Sequence, residues 1–463
     1  AYYTVAHLLQ GADNLDGSKK GPSGVEASAM GDKEWDYVFL QGCYPEGSNV
    51  PEAKLAEMRT EFEYWYPMDL RCSAKDLIPN HLTMALYNHA SIWKNRPELW
   101  PRGYFTNGHV QVDAQKMSKS KGNFLMMDDC VKRFGADPTR FALADAGDSL
   151  EDANFAVDSA NQAILTLTIQ ADWVAEVLEE AANGKLRETS EEGYLFMDRA
   201  FKNEMDALVN KTDDAFSRMM WREGLHSGFY AMQILRDFYR DWCTKTGQAM
   251  QKSLVLRFIE VQTILLAPIC PHYTEHLWGL MGNGASGSVL KAKWPTTGEV
   301  DGWMSRSFQF LKKTIGTYRV TASKSKAAIT SGHIYVASSY PQWKVDTLVH
   351  LRSCLEANGG KEFAKDVMKG LKAFATSAGF DKKQSQAVMQ FAAFVKAEYE
   401  EAGPEALEAT LPFDQAAILE ENKAYIRDSL GLKNLEILEA AGSAGDAKRK
   451  ASAEPGRPTL YLF

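Results

Sequence analysis

The fold class that the sequence predicts is a mixed α/β segment, then an all-α bundle, then a small mixed α/β end, and three observations predict it. The chain has 463 residues, more than one hydrophobic core organises, so at roughly 150 residues per domain about three folding units are expected. Strong helical periodicity occupies 137–146, 152–184, 191–217, 221–250 and 252–282, and the short connections imply antiparallel neighbours in a bundle. Strand-like runs fall to either side of that stretch.

Taken in order, residues 1–10 (AYYTVAHLLQ) are apolar and aromatic from the first position, as if the chain began inside a structural element. Residues 11–33 are rich in Gly, Ser and Asp and read as a surface loop. Apolar residues recur at helical spacing from Glu52 to Trp65, and Tyr66-Pro67 ends that helix before the strand-like MDLRCS. A helix follows over about 78–93. Residues 103–115 alternate around Gly103 and Gly108 and predict a short hairpin leading into a lysine-rich loop. Asn123 reads as a helix N-cap and Gly135 as that helix's stop. Beyond Trp294-Pro295 come a basic helix over about 301–323, the strand HIYVASSY (333–340), shorter helices and a strand near Leu435–Leu438. Residues 440–457, small and polar, predict a flexible loop before a last strand, TLYLF. No internal repeat is apparent.

Composition excludes several classes. Hydrophobic residues are 45% and charged ones 24% of the chain, which argues against bulk disorder. No run of about 18 uncharged apolar residues occurs and the amino terminus does not resemble a signal peptide, so a cytoplasmic protein with no membrane partner is expected. The six cysteines form no Cys-x-x-Cys pair, which fits a reducing compartment. Cys270, His272 and His276 lack a fourth ligand nearby; packing is expected of them, and no metal site. Net charge is −8, so nucleic acid would have to be met by local basic clusters. The candidates are Lys116 to Lys121 with Lys132 and Arg133, then Arg236, Arg240 and Lys245, and then Lys312, Lys313, Lys324 and Lys326.

The most informative segment is GHVQVDAQKMSKSKGNFL. It places Lys116, Lys119 and Lys121, with Ser118, Ser120 and Gly122, between a predicted strand and a predicted helix start. Ammonium groups, backbone N–H donors and the positive end of a helix together suit phosphate. Cations held there favour a phosphoryl transition state, in which charge develops on the phosphate oxygens. An arbitrary lysine-rich loop is usually solvated; five consecutive matching residues change the odds.

Lys116-Met117-Ser118-Lys119-Ser120 is identified as the second signature of class I aminoacyl-tRNA synthetases, here followed by Gly-Asn. YYTVAHLLQG, EFEYWYPMDLRCSAKDLIPNHL, ALADAGDSLEDANF and HIYVASSYPQW resemble leucyl-tRNA synthetases of the eukaryotic and archaeal cytosolic type. LLAPICPHYTEHLW resembles a helix shared by the tRNA-binding bundles of the leucine, isoleucine, valine and methionine enzymes. The resemblance implies three domains. Residues 1–150 would be the carboxyl-terminal half of a Rossmann-type parallel nucleotide fold with its connecting segment. Residues 151–298 would be a helical tRNA-binding bundle, and 299–463 a mixed α/β extension.

By position, the resemblance implies that Lys116 and Lys119 contact ATP phosphates, with Lys119 the transition-state cation, and that Ser118 and Ser120 belong to the same ATP-binding loop. Met117 and Val110 would hold adenine. Asp76 would accept the ribose hydroxyls, with helix N-capping as its ordinary alternative. Tyr3 and His81 would line the leucine pocket, with a plain helix-face histidine as the alternative for His81. ATP is the implied substrate and Mg2+ is expected through its phosphates; leucine and tRNA-Leu are the implied partners. The first family signature, His-x-Gly-His, is not found: the closest strings are Asn107-Gly108-His109 and Ser331-Gly332-His333. The family's inserted editing domain is missing too. The expectation is therefore a portion of a synthetase, inactive alone, with a separate amino-terminal half and other synthetases as conceivable partners. The alternatives are a non-catalytic tRNA-binding or scaffolding protein and a sibling ligase for isoleucine, valine or methionine.

Overall fold

The computed structural model describes residues 1–11, 18–117, 120, 122–324, 329–364, 367–442 and 445–463. It is rich in helix with small sheets, and packing groups it into two units, Ala1–Ile164 and Leu165–Phe463.

In the first unit, helix Glu52–Trp65 buries Leu55, Met58 and Phe62, three and four residues apart, against Val5, Val38 and Trp93. Phe62 stacks on Tyr66 at 4.9 Å, and the Trp93 indole N–H donates to the Tyr66 hydroxyl at 2.8 Å, so the aromatic core also satisfies its polar edges. β1 (Arg71–Ala74) runs parallel to β2 (Tyr104–Asn107), with Arg71 opposite Tyr104 and Ala74 opposite Asn107. Between them a π-helical turn, Ile78–Leu82, leads into helix Thr83–Ile92.

The hairpin predicted over 103–115 forms only in the second half of that stretch. The chain breaks at Gly108, whose N–H donates to Ser149 O at 3.0 Å. A Cβ there would lie 2.1 Å from the carbonyl oxygen of Glu151, so only glycine permits the approach. The strand beyond, β3 (Val110–Val112), joins a different sheet: antiparallel to β4 (Gln115–Lys116) and parallel to β5 (Ala153–Phe155). The true hairpin turns at Asp113 and Ala114, both at positive φ (48° and 60°). Asn123 is not a helix cap either. The helix starts at Met127, and the Asn123 side-chain amide instead donates to the Lys116 carbonyl at 3.1 Å; Gly135 does end the helix, at φ 87°.

In the second unit, the predicted helical runs appear with their ends shifted for identifiable reasons. Val157–Ala182 starts late because β5 uses 153–155. The run over 252–282 splits into Lys252–Leu266 and Pro271–Leu280, since Pro268 and Pro271 cannot donate to a helical ladder. Lys252–Leu266 is buried on most of its circumference, at Leu254, Val255, Phe258, Ile259, Val261 and Leu265 among others, and so sits at the centre of the bundle. Helix Gly302–Ser323 is capped by Asp301, whose carboxylate accepts from Trp303 N at 2.8 Å. β6 (Ser331–Val336) is the middle strand of a three-stranded sheet, parallel to β7 (Asn434–Glu439) and antiparallel to β8 (Thr459–Leu462). One core contains Phe201 and Phe258 of the bundle together with Leu311, Ile334 and Leu460, so bundle and sheet share an interior. Helices Gln342–Ala357, Val367–Ser377 and Lys382–Ala402 enclose a second core around Leu351, Leu371 and Ala392. The stretch predicted as a flexible loop contains helix Ala447–Ser452, because Asp446 accepts from Arg449 N at 2.7 Å and nucleates it. Cys270 is buried at the start of helix Pro271–Leu280, and among the described residues no three His, Cys, Asp or Glu side chains form a group that could hold a metal.

A fully buried carboxylate organises the bundle. Both oxygens of Asp198 accept from Arg187 Nη2 at 2.7 Å, and the carboxylate also accepts from the Tyr239 hydroxyl at 2.6 Å and from Leu195 N at 2.9 Å. Burial pushes the Tyr239 phenol far up, so it stays neutral and donates. Asp198→Ala should cost about 3–5 kcal/mol, because it strands a buried guanidinium and a hydroxyl. Lys202→Ala, which breaks a pair with exposed Glu191, should cost under about 1 kcal/mol. Equilibrium urea unfolding of both variants checks this, and equal losses would contradict it.

Candidate functional site

Of the predicted site residues, Asp76 lies where the two parallel strands end. β1 stops at Ala74 and runs into the turn Lys75–Leu77, which carries Asp76; β2 stops at Asn107, two residues before His109. The carboxyl ends of parallel strands are where open α/β sheets take ligands. Here His109 Nε2 stands 3.5 Å from Asp76 Oδ1. Asp76 is exposed, and Leu77, Ala74 and the neighbouring turns have no side-chain cap from it, so its helix-capping alternative does not apply.

Val110 on β3 and Lys116 on β4 are brought close by the hairpin, where Gln111 pairs with Lys116. Lys116 has an exposed side chain and its carbonyl is held by Asn123. Met117 is half-buried and Ser120 exposed; Ser118 and Lys119 lie outside the described residues. The hairpin is tied down from one side by residues 149–157. Ala114 N donates to the Asn154 side chain at 2.6 Å, Asp113 N to Phe155 O at 3.1 Å, and Val157 N to the Asp113 carboxylate at 3.1 Å.

The leucine-pocket residues are not brought together. Tyr3 is 91% exposed and touches only the ring of Tyr2, while His81 lies exposed on the π-helical turn; no hydrogen bond or ring contact joins them. Neither is enclosed, because the residues around each leave it open to solvent.

Three residues that the sequence did not single out complete the site. Asp152 Oδ1 accepts from Lys75 Nζ at 2.7 Å and from His109 N at 2.9 Å. The Lys75 hydrogen bond, followed by that of the His109 amide, holds the Asp152 carboxyl down at about 2, from an ordinary 3.8. EDANF contains Asp152, but nothing in a linear reading pairs it with positions about 40 and 80 residues earlier.

The basic clusters are largely internally paired. Arg236 is buried, donating to Gln170 and Asp237 and lying 4.5 Å over the Trp173 ring, so it adds nothing to a surface stripe. Arg240 pairs with Asp237, Lys245 with Asp241, Lys313 with Glu398 and Lys132 with Asp128. Lys121 and Lys326 lie outside the described residues.

Comparison with known families fits this arrangement of segments. The model "tRNA synthetases class I (M)" matches residues 48–171, which hold the site just described, and the model "Anticodon-binding domain of tRNA ligase" matches 198–331, within the bundle and the helix beyond it. Together they define a segment of a class I tRNA synthetase. The whole chain is 40% identical to the cytoplasmic leucine–tRNA ligase of Pongo abelii, 38% to that of Arabidopsis thaliana and 31% to the leucine–tRNA ligase of Aeropyrum pernix. It covers 39%, 44% and 44% of them, their carboxyl-terminal part, and so spans about two fifths of their length. The chain belongs to the leucine–tRNA ligase family. A solved ternary complex of an Agrobacterium radiobacter LeuRS with tRNA and LeuAMS matches 66% of this chain and 34% of that one, at 18% identity and a TM-score of 0.43, too loose a likeness to carry an argument.

Because the Asp152 carboxyl is depressed in the folded chain, its charge favours the native state above about 3.8. That contribution is lost as pH falls from 3.8 towards 2, since the unfolded chain takes up the proton first. Carboxyl NMR of the aspartate-labelled chain should find Asp152 still ionised at about pH 3, and Lys75→Met should move its midpoint upward. A midpoint at the ordinary value in the unsubstituted chain would contradict the pairing.

Proposed function

We propose that this chain supplies the phosphate loop and the tRNA-docking domains of a leucine–tRNA ligase. The carboxylate of leucine attacks the α-phosphorus of ATP and pyrophosphate leaves; a hydroxyl of the tRNA's terminal adenosine then attacks the leucyl carbonyl and AMP leaves. Catalysis of this kind needs positioning and charge stabilisation, with no covalent enzyme intermediate. The observation that carries the reading is the placement of Asp76 and His109, 3.5 Å apart, past the ends of two parallel strands, with the hairpin delivering Lys116 in the same unit.

In this reading Lys116 and Lys119 hold the phosphates, and Lys119 meets the charge that grows in the transition state. Ser118 and Ser120 let the loop close, Met117 and Val110 pack on adenine, and Asp76 takes the ribose hydroxyls. Mg2+ bound through the nucleotide would offset phosphate charge beside Lys116 and Lys119. Tyr3 and His81 touch the leucine side chain, and further parts of the ligase close over them. Ile78, Met84, Leu86, Tyr87 and Ile92, all exposed here and spread around their helical segment, suit such a covering partner, since helices of parallel α/β layers are ordinarily buried. Residues 1–150, 151–298 and 299–463 would act as catalytic half, tRNA-docking bundle and tRNA-gripping extension, working in the cytoplasm.

The chain co-expressed with an amino-terminal segment carrying His-x-Gly-His should catalyse leucine-dependent ATP–pyrophosphate exchange. Lys119→Ala should slow that exchange by on the order of 100-fold, the usual cost of one transition-state donor. No exchange in the complemented protein would favour a tRNA-binding scaffold, and a Lys119→Ala rate within about twofold would remove that residue from the mechanism. Binding of tRNA-Leu to the chain should weaken steeply with added salt, because phosphate contacts release counterions; salt-independent binding would contradict a phosphate-reading face.

A further inference from the structure

We propose that Asp152 is a positioning residue for the nucleotide's ribose, acting on Asp76 through Lys75 and His109. The inference rests on the nucleotide reading above and adds to it residues that neither motif contains.

The geometry is a crosslink between two turns. One oxygen of Asp152, Oδ1, accepts from the Lys75 ammonium at 2.7 Å and from the backbone N–H of His109 at 2.9 Å. Lys75 immediately precedes Asp76 in the turn that ends β1, and its ammonium also donates to Leu150 O at 3.2 Å. His109 lies just past the end of β2; its Nδ1 stands 3.7 Å from the same Asp152 oxygen and its Nε2 3.5 Å from Asp76 Oδ1. Asp152 therefore fixes the turn that carries Asp76, and also fixes the imidazole that faces its carboxylate. A carboxylate that is to accept two adjacent hydroxyls must be held in orientation before the ligand arrives, and Asp76 itself is exposed, with only its main-chain carbonyl engaged locally, by Asn80 at 3.3 Å. Asp152 is itself anchored. It lies between Gly108's contact with Ser149 O and the β3–β5 pairing, so the side chain has little freedom to follow a moving turn.

This role differs from a merely structural one in what it protects. Orientation of Asp76 matters to a nucleotide that has both ribose hydroxyls and hardly at all to one lacking both. The test is calorimetric titration of the 463-residue chain with ATP and with 2′,3′-dideoxy-ATP. Asp152→Asn should bind ATP about tenfold more weakly while 2′,3′-dideoxy-ATP stays within about twofold, the loss expected for one hydrogen bond to a charged group. Asp76→Ala should show the same selective loss, and Asp152→Glu should recover part of it. If Asp152→Asn fails to fold by circular dichroism, Lys75→Met, which removes one arm of the crosslink, carries the same expectation. Equal weakening for both nucleotides, or no change for either, overturns the inference while leaving the nucleotide site standing. An unsubstituted chain that binds neither nucleotide overturns both.

Discussion

The first unit depends on a single close approach, that of residues 149–157 to the segment 108–116. At Gly108 the two backbones come so near that no side chain fits between them, and from that point several polar groups of one segment find partners on the other. The Gly108 amide meets Ser149 O, the His109 amide meets Asp152, β3 pairs with β5, and the hairpin turn is held by Asn154 and Phe155. The hairpin has only five strand residues of its own, too few to be stable as an isolated two-stranded ribbon. Its order, and hence the direction in which Lys116 leaves it, is supplied from about 40 residues downstream.

The second unit is organised by burial in place of a latch. Lys252–Leu266 is apolar around most of its surface and can exist only at the centre of other helices. Around it, polar groups that cannot reach water satisfy one another: Arg187, Tyr239 and Leu195 N converge on Asp198, while Arg236 turns inward to Gln170 and the Trp173 ring. Such groups contribute little net stability as a set, yet removing one member leaves the others stranded. They fix which helix faces which. The same inward turning explains why the basic stripe expected over Arg236, Arg240 and Lys245 is mostly spent on acidic neighbours.

How much of this was legible in the sequence depended on the range of the interaction. Helices with period 3.6, Gly135 as a stop, and strands near 333–340 and 435–438 were readable because each is decided by neighbours within a turn or two, though the first runs from Ser331 and ends at Val336, four residues early. The hairpin was misplaced because Gly108 looks like a turn residue from its own surroundings; its actual constraint is Glu151, 43 residues away. Asn123 likewise has the chemistry of a helix cap, and here its amide is used seven residues back on Lys116 O. Asp76, Val110 and Lys116 could be proposed from the motif and the family resemblance, whereas Lys75, His109 and Asp152 acquire meaning only once the chain brings them together. Cap chemistry could have found the helix at 447–452, since Asp446 precedes a run of good helix formers; small-residue composition hid it.

The exposed apolar residues complete the physical picture. Helix Thr83–Ile92 has no buried residue, although it carries Met84, Leu86, Tyr87 and Ile92. Its apolar residues are spread around the helix in place of one stripe, so burial on a single side could not cover them all. Among the described residues the parallel sheet flanking it in sequence is two strands wide. Asp76 stands at the end of the first of those strands. The contacts around its turn, from Asp152 and His109, come from within the same unit and need no neighbour to be in register. Tyr3 and His81, by contrast, stand exposed to solvent. The proposed nucleotide side therefore has crosslinks within this unit, while the proposed leucine side is open.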